Sequence, residues 1–397
     1  MRLDSQRVCV VRHREYQTDP RVTRDVEALV ASGKRVDVIC LRRAGEPQVE
    51  EAGEVTIYRL GGSQKRGSLT RYVVQYLAFW IRVFWRLSGL FWKRRHGVIQ
   101  FHSMPDFLVF AGIIPKLCGA KIILDMQEAT PEFFQSKYRV NASSFPVRCC
   151  KWVERRSAAF ADQLLTVHTI LRGVFVQRGI PERKFTCVPN VPDETIFRAR
   201  PDFRPASRRT DSFILISHGS ILERYGLHIA VQAVGFLREE IPGIRLRIAG
   251  AGEYLPVVKQ FVQDLDLGEH VEFYGFLPAR KLPELIGSSH IGLVPLLDDV
   301  YTNLMHANKM FEYIAMRRPV IISHLAAVKA YFDEHCLLFC APGNPEDLAR
   351  CVLELYRNPD RARAFADRAY ERYEALRWSR VKGQYVKVID DLLLEAR

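Results

Sequence analysis

The sequence contains no CxxC pair, no tandem repeat at a period of 20–50 residues and no low-complexity tract. The first absence argues against a zinc ribbon or a dithiol redox site. The other two exclude a solenoid and a long unstructured region. No run reaches ~18 uncharged apolar residues, so no bilayer-spanning helix is expected. Met1-Arg2-Leu3-Asp4-Ser5-Gln6-Arg7 leads straight into a strand-like run, which predicts no signal peptide. The nine cysteines are odd in number, and Cys9, Cys40, Cys187, Cys336 and Cys340 lie in apolar runs. They read as buried free thiols in a reducing cytoplasm. Cys149 and Cys150 are adjacent and lack metal-ligand spacing.

What is present is a globular mixture. The 397 residues are 48% apolar and 26% charged, enough for two domains with real cores. There are 58 Lys and Arg against 45 Asp and Glu, a formal charge of +13. Residues 1–200 hold 33 basic and 19 acidic side chains, so the first half carries the whole excess. Such a balance points to a polyanionic partner: nucleic acid, an anionic membrane or a phosphorylated substrate. No zinc finger, RNA-recognition signature or basic tail is present, and the cations accompany long apolar runs. Nucleic acid is therefore not the expected partner.

Short apolar runs alternate with amphipathic helical patterns. Val8–Val11, Arg35–Leu41, Val55–Arg59, Val98–Phe101, Lys121–Asp125, Gln163–Val167 and Phe185–Val188 read as strands. The second half repeats the rhythm at Phe213–Ser217, Arg245–Ala249, Val271–Tyr274, Ile291–Pro295, Pro319–Ile322 and Leu337–Phe339. This alternation predicts parallel sheets with helices on both faces, hence an α/β chain of two doubly wound, Rossmann-like domains facing across a cleft. Arg198–Ser212 is rich in Pro, Ser and Arg and reads as an exposed linker. The expected domains are therefore 1–200 and 201–376, followed by a helical tail at 377–397.

Residues 69–95 are unusual. Three of the five Trp lie here, and the polar or small positions Arg71, Gln75, Ala78, Arg82, Arg86, Gly89 and Lys93 form one narrow helical stripe. A helix packed on one side of a sheet needs an apolar face of only about 100°. Excess aromatics beside cations suit an interfacial helix, with Trp80, Arg82, Trp85, Arg86 and Trp92 as candidate membrane contacts. A helix buried on all sides is the other reading.

In the second half, Gly219 and Ser220 close the first strand and Arg224 follows before a helix. A glycine there admits a close ligand approach, and the helix N-terminus favours an anion. Gly250 and Gly252 either repeat this device or make ordinary tight turns. Asn308, Lys309 and Glu312 open a helix in Asn303–Ile322. A carboxylate one turn after a lysine suits a ribose diol beside a phosphate, or forms a solvated ion pair. Asp264-Leu265-Asp266 precedes Gly268 and reads as a solvated turn rather than a metal site.

Asn-Lys-x-Phe-Glu-Tyr-x-Ala followed by Pro-Val-Ile resembles the retaining family 4 glycosyltransferases of GT-B fold, in their bacterial surface-polysaccharide branch. Asp19-Pro20-Arg21-Val22, Val188–Asp193 and Val271–Leu277 agree with it in order and spacing. The resemblance implies a nucleotide-sugar donor held by the C-terminal domain, with a UDP-sugar preferred. Glu312 then matches the ribose-binding Glu, Lys309 and Arg224 the diphosphate-binding cations, and Gly219 the glycine near the phosphates. Leu304 stands where the family's first motif Glu would fall, and Gln127 where relatives often carry His. The resemblance further implies that no catalytic metal or other cofactor is needed, and that the last helix returns to the first domain. It suggests a polyprenyl-diphosphate-linked or other glycan acceptor, on the cytoplasmic face of an anionic membrane. Candidates on the acceptor side are His13, His102, Asp106, Asp125 and Glu128, at or beyond N-domain strand ends, and Asn190 at the interdomain strand end. Loss of the motif Glu also allows a degenerate sugar-nucleotide-binding or scaffold protein.

Overall fold

A computed structural model describes residues 3–62, 69–199 and 212–396. The chain forms two units: Met1–Pro189 with Val381–Arg397, and Asn190–Arg380. The second unit therefore begins at Asn190, ahead of the expected boundary at 200. Most of the expected linker, residues 200–211, lies outside the described residues.

The first unit contains β1 (Asp4–Val11), α1 (Pro20–Ala31), β2 (Arg35–Leu41), β3 (Val49–Ala52), β4 (Val55–Leu60), α2 (Leu69–Arg94), β5 (His96–His102), α3 (Ile113–Leu117), β6 (Lys121–Met126), α4 (Thr130–Tyr138), α5 (Phe145–Phe160), β7 (Gln163–Thr166), α6 (Thr169–Gln177) and β8 (Phe185–Cys187). The sheet order is β3-β4-β2-β1-β5-β6-β7-β8. Among the described residues all pairs of this sheet are parallel except β3–β4, as the alternation of strands and helices leads one to expect of its main body. Central strands are buried along most of their length because helices cover both faces, hence their unbroken apolar runs. α1 starts where Asp19 accepts a hydrogen bond from the Val22 amide and Pro20 presets the first turn. The 3-10 segment Asp106–Gly112 packs against α2, α3 and α5, joining these helices into one layer.

The second unit contains β9 (Phe213–Ser220), α7 (Leu227–Leu237), β10 (Ile244–Ala251), α8 (Leu255–Asp264), β11 (Val271–Gly275), α9 (Leu282–Gly287), β12 (Ile291–Val294), α10 (Asn308–Ala315), β13 (Val320–Ser323), α11 (Ala326–Lys329), β14 (Leu338–Cys340), α12 (Pro345–Arg357) and α13 (Pro359–Glu374). Its parallel sheet runs β11-β10-β9-β12-β13-β14. β9 lies inside the sheet, with β10 and β12 as neighbours to which the chain departs in opposite directions. That is a topological switch point, the place where open α/β sheets bind ligands. α7 and α12 cover one face around Ala230, Val234, Leu348 and Val352. α10 and α13 cover the other around Phe311, Ile314 and Tyr373.

α14 (Trp378–Glu395) begins in the second unit, and its residues from Val381 belong to the first. There the buried Tyr385 hydroxyl donates to Gln100 Oε1 at 2.8 Å. Lys34 pairs with Asp390 at 2.7 Å, and Lys121 with Glu395 at 3.0 Å.

Candidate functional site

β9 delivers His218, Gly219 and Ser220 to its carboxyl end, where Gly219 pairs with Gly250 of β10 and Ser220 with Ala251. The glycines divide into two kinds. A Cβ on Gly250 would overlap the Gly219 carbonyl, and one on Gly252 the Ile221 carbonyl. Those two positions are glycine because backbone segments touch there. Gly219 has φ +110° and nothing within 4 Å of its missing Cβ. It is glycine for its backbone conformation, and its open side leaves room for a ligand.

Beyond β9, Glu223–Tyr225 makes a 3-10 turn and Gly226 opens α7 at φ 63°. A Cβ on Gly226 would overlap the Pro295 carbonyl, and the Leu297 amide donates to the Arg224 carbonyl at 2.9 Å. The turn carrying Arg224 is thus stitched to the loop after β12. The half-buried Arg224 guanidinium sits 5.4 Å from the Tyr301 ring centroid.

α10 lies across these strand ends. Its Lys309 Nζ donates to Ser217 Oγ at 3.3 Å and lies 5.4 Å from the Tyr225 ring centroid. Burial pushes the Lys309 ammonium down to about 8, and Glu312 acts in the opposite direction. One turn on, Glu312 Oε2 approaches His218 Nε2 at 3.0 Å. The Tyr313 hydroxyl accepts from the His218 amide at 3.1 Å, and the missing side chain of Gly292 makes room for the Tyr313 ring. Asn308, at the head of the helix, accepts from Asn190 Nδ2 at 3.1 Å. Asn190, expected on the acceptor side, therefore lies in the second unit beside the α10 start.

The structure brings Gly219, Ser220, Arg224, Lys309 and Glu312 to one end of the sheet. His218 and Tyr313, which fix α10 on β9, had no role in the sequence reading. The position of His218 directly before Gly219 was the available signal. Leu304 ends the short 3-10 turn Thr302–Leu304. Asp264 and Asp266 are exposed at the end of α8.

In the first unit, His102 and Asp125 are fully buried. Arg21 donates to both Asp125 oxygens at 2.7 and 3.0 Å, and His102 Nδ1 lies 2.9 Å from Oδ2. Burial opposes ionisation of Asp125, but Arg21 and His102 overcome it and hold the carboxyl well below the usual range. Asp25, His102 and Asp125 place three possible ligand atoms within 4.8 Å of one another. Arg21 occupies the same carboxylate, a poor neighbour for a cation. His13 is buried edge-on to Tyr76 and Phe79, and burial with Arg12 lowers it to about 4. Asp106 is pushed up to about 6 by burial. Glu128 is half-buried.

On α2, Phe79, Val83, Leu87 and Phe91 face the core. Val74, Leu77, Ile81, Trp85 and Trp92 are exposed, Trp85 by 70%. Trp80 is half-buried on Phe84, and Arg86 sits over the Tyr58 ring at 4.6 Å. Arg82 is exposed and donates to the Gly61 carbonyl at 2.6 Å. No helix among the described residues is long and apolar enough to cross a membrane.

Two family models cover these two units. Residues 18–191 match a glycosyl transferase 4-like domain, and residues 212–358 match glycosyl transferases group 1. The chain belongs to the family 4 type of glycosyltransferase, with the GT-B fold. It is 27% identical over 134 residues to WcaL of Escherichia coli, a protein named for glycosyl transfer in colanic acid biosynthesis, covering 34% of this chain and 32% of that one. It is 28% identical over 150 residues to a GDP-mannose-dependent alpha-(1-6)-phosphatidylinositol monomannoside mannosyltransferase of Mycolicibacterium smegmatis, covering 37% and 39%. These alignments therefore span well under half of each curated relative. Among solved structures, sucrose-phosphate synthase of Thermosynechococcus elongatus superposes with TM-score 0.78 at 17% identity, over 98% of this chain and 99% of that one. Anabaena HepE bound to UDP-glucose gives 0.72 at 12% identity, over 97% and 99%.

Proposed function

We propose that the chain transfers a sugar from a nucleotide-sugar donor to a lipid-linked or other glycan acceptor, with retention at the anomeric carbon, in the synthesis of cell-surface polysaccharide. One observation carries the reading. Lys309 and Glu312, one turn apart on α10, reach Ser217 and His218 of β9, directly before the open backbone of Gly219 at the strand's carboxyl end. That arrangement suits a nucleoside diphosphate: Glu312 takes the ribose diol, while Lys309, Arg224 and the Gly219–Ser220 backbone take the phosphates.

In the proposed reaction the acceptor oxygen bonds to C1 of the donor sugar as the C1–O bond to the diphosphate breaks. The acceptor hydroxyl proton passes to a diphosphate oxygen on the same face. Charge develops on the leaving diphosphate, and fixed cations and amides stabilise it without reorganising. Arg224 and Lys309 would then do the work of a metal ion. A UDP-sugar is the preferred donor. GDP-mannose is the second reading, favoured by the relatives named as GDP-mannose-dependent. Leu304 in place of a motif Glu favours a third, a sugar-nucleotide-binding protein without turnover. Hydrolysis and transfer assays with a panel of UDP- and GDP-sugars separate the three. Near-normal turnover in both Lys309→Ala and Glu312→Ala would remove this site from the reaction.

The acceptor is proposed to be a polyprenyl-diphosphate-linked glycan at the cytoplasmic face of an anionic membrane. The outward apolar stripe of α2, flanked by Arg71, Arg82 and Lys93, supports that reading.

A further inference from the structure

The outer face of α5 has no part in the donor site. Phe145, Arg148, Trp152, Arg155 and Arg156 recur at helical spacing and are all exposed, Phe145 by 76% and Trp152 by 61%. A solvated helix face ordinarily mixes both charge signs. This one does not: the only carboxylate of α5, Glu154, is fully buried and accepts two hydrogen bonds from Arg178 at 2.8 and 2.9 Å. Arg148, Lys151, Arg155 and Arg156 make no ion pair among the described residues. The stretch 133–153 contains no Asp or Glu at all.

The last turns of α5 and the turn Gly179-Ile180-Pro181 line a half-open cavity of about 310 Å³. Trp152, Arg155, Arg156 and Ala159 form its α5 wall. The Arg156 guanidinium lies 5.6 Å from the Trp152 ring centroid. Two guanidinium forks without carboxylates suit phosphate oxygens, and the Trp ring with Ala159 and Ile180 offers an apolar rim.

The surroundings decide between a lipid and other anions. α5 and α2 pack on the same segment, Asp106–Gly112, and Phe110 meets Phe160 at 5.2 Å. Leu117 of α3, 82% exposed, and Ile81 and Trp85 of α2 are exposed as well, so all three helices packed on this segment carry outward apolar side chains. A nucleic acid or an acidic peptide has no use for so much exposed aliphatic surface. We infer that the cavity between α5 and the Gly179–Pro181 turn seats the phosphate of an anionic phospholipid, with Phe145 and Trp152 at headgroup level. The inference rests on the membrane reading above and adds a second contact element and a specific seat.

The test is flotation with phosphatidylglycerol–phosphatidylcholine vesicles and with pure phosphatidylcholine vesicles at fixed ionic strength. Arg155→Gln with Arg156→Gln should weaken binding to the anionic vesicles by more than the roughly 30-fold that removing any two cations near such a surface costs. Arg148→Gln with Lys151→Gln, which removes two cations outside the cavity, should cost clearly less. Trp152→Ser should weaken binding, and all these surface variants should melt like the parent. Equal losses in the two double variants would mean diffuse charge and overturn the seat. So would displacement by inorganic phosphate, or the same arginine dependence for a nucleic-acid duplex with no vesicle binding. If Trp85→Ser with Arg82→Glu abolishes flotation while the Arg155/Arg156 variant floats normally, the seat is wrong and the membrane reading stands. If the parent protein does not float with anionic vesicles, both fall.

Discussion

At Lys309, burial lowers the ammonium to about 8, while its position one turn before Glu312 keeps it beside a carboxylate. A diphosphate favours the protonated lysine, so donor affinity should be highest below pH 8 and fall as pH rises through that value. Lys309→Arg, protonated throughout, should flatten this profile; calorimetric titration of the nucleotide from pH 7 to 9.5 measures both. Loss of the cation in Lys309→Ala should lower transfer on the order of 10²–10³, as for a preorganised oxyanion donor. The glycines allow a sharper comparison. Gly250→Ala drives a methyl into the Gly219 carbonyl and should cost about 1–3 kcal/mol of stability. Gly219→Ala meets open space but a left-handed backbone, so it should cost about 1–2 kcal/mol and reduce nucleotide binding. Urea unfolding and nucleotide titration of the pair separate packing from ligand approach. Lys309 and Glu312 were legible because both lie on one helix, where spacing fixes the geometry. The contacts of His218 with Glu312 and Tyr313 join β9 to α10 across more than ninety positions. No local pattern announces such a pair.

At the scale of elements, the strand pattern was readable wherever a strand is buried. Thirteen of the fourteen strands among the described residues coincide with apolar runs in the sequence. The exception is β3, Val-Glu-Glu-Ala, a short, mostly exposed edge strand, antiparallel to β4. An edge strand facing water has no reason to be apolar. α2 posed the opposite problem. It is apolar almost all round, so its sequence did not tell which side the sheet covers. The structure turns Phe79, Val83, Leu87 and Phe91 inward and leaves Leu77, Ile81 and Trp85 outside. Trp85→Ser with Arg82→Glu should therefore abolish flotation with anionic vesicles and leave the melting temperature unchanged. α14 makes a separate prediction. Tyr385→Phe removes a buried hydroxyl from Gln100 and should destabilise the protein by about 1–2 kcal/mol in urea unfolding.

For the molecule as a whole, the net charge of +13 is unevenly placed, and on the proposed reading this reflects a division of labour rather than a uniform affinity for polyanions. The excess belongs to the first half, where α2 and α5 carry outward aromatics and cations. The second half is nearly neutral and places single cations, Lys309 and Arg224, at a strand end. The proposed membrane binding should therefore weaken steeply with salt in vesicle flotation. If cations replace a metal, transfer should persist in EDTA. The two-sheet architecture was evident from the alternation of strands and helices, whereas the donor sugar was not, because sugar contacts depend on side chains brought together only by folding. The most direct measurement is transfer and hydrolysis with a UDP- and GDP-sugar panel, in the parent protein, Lys309→Ala and Glu312→Ala. The account predicts turnover with at least one nucleotide-sugar, lost by about two orders of magnitude or more in Lys309→Ala and accompanied by weaker nucleotide binding in Glu312→Ala. Parent-like turnover and nucleotide affinity in both variants would contradict it.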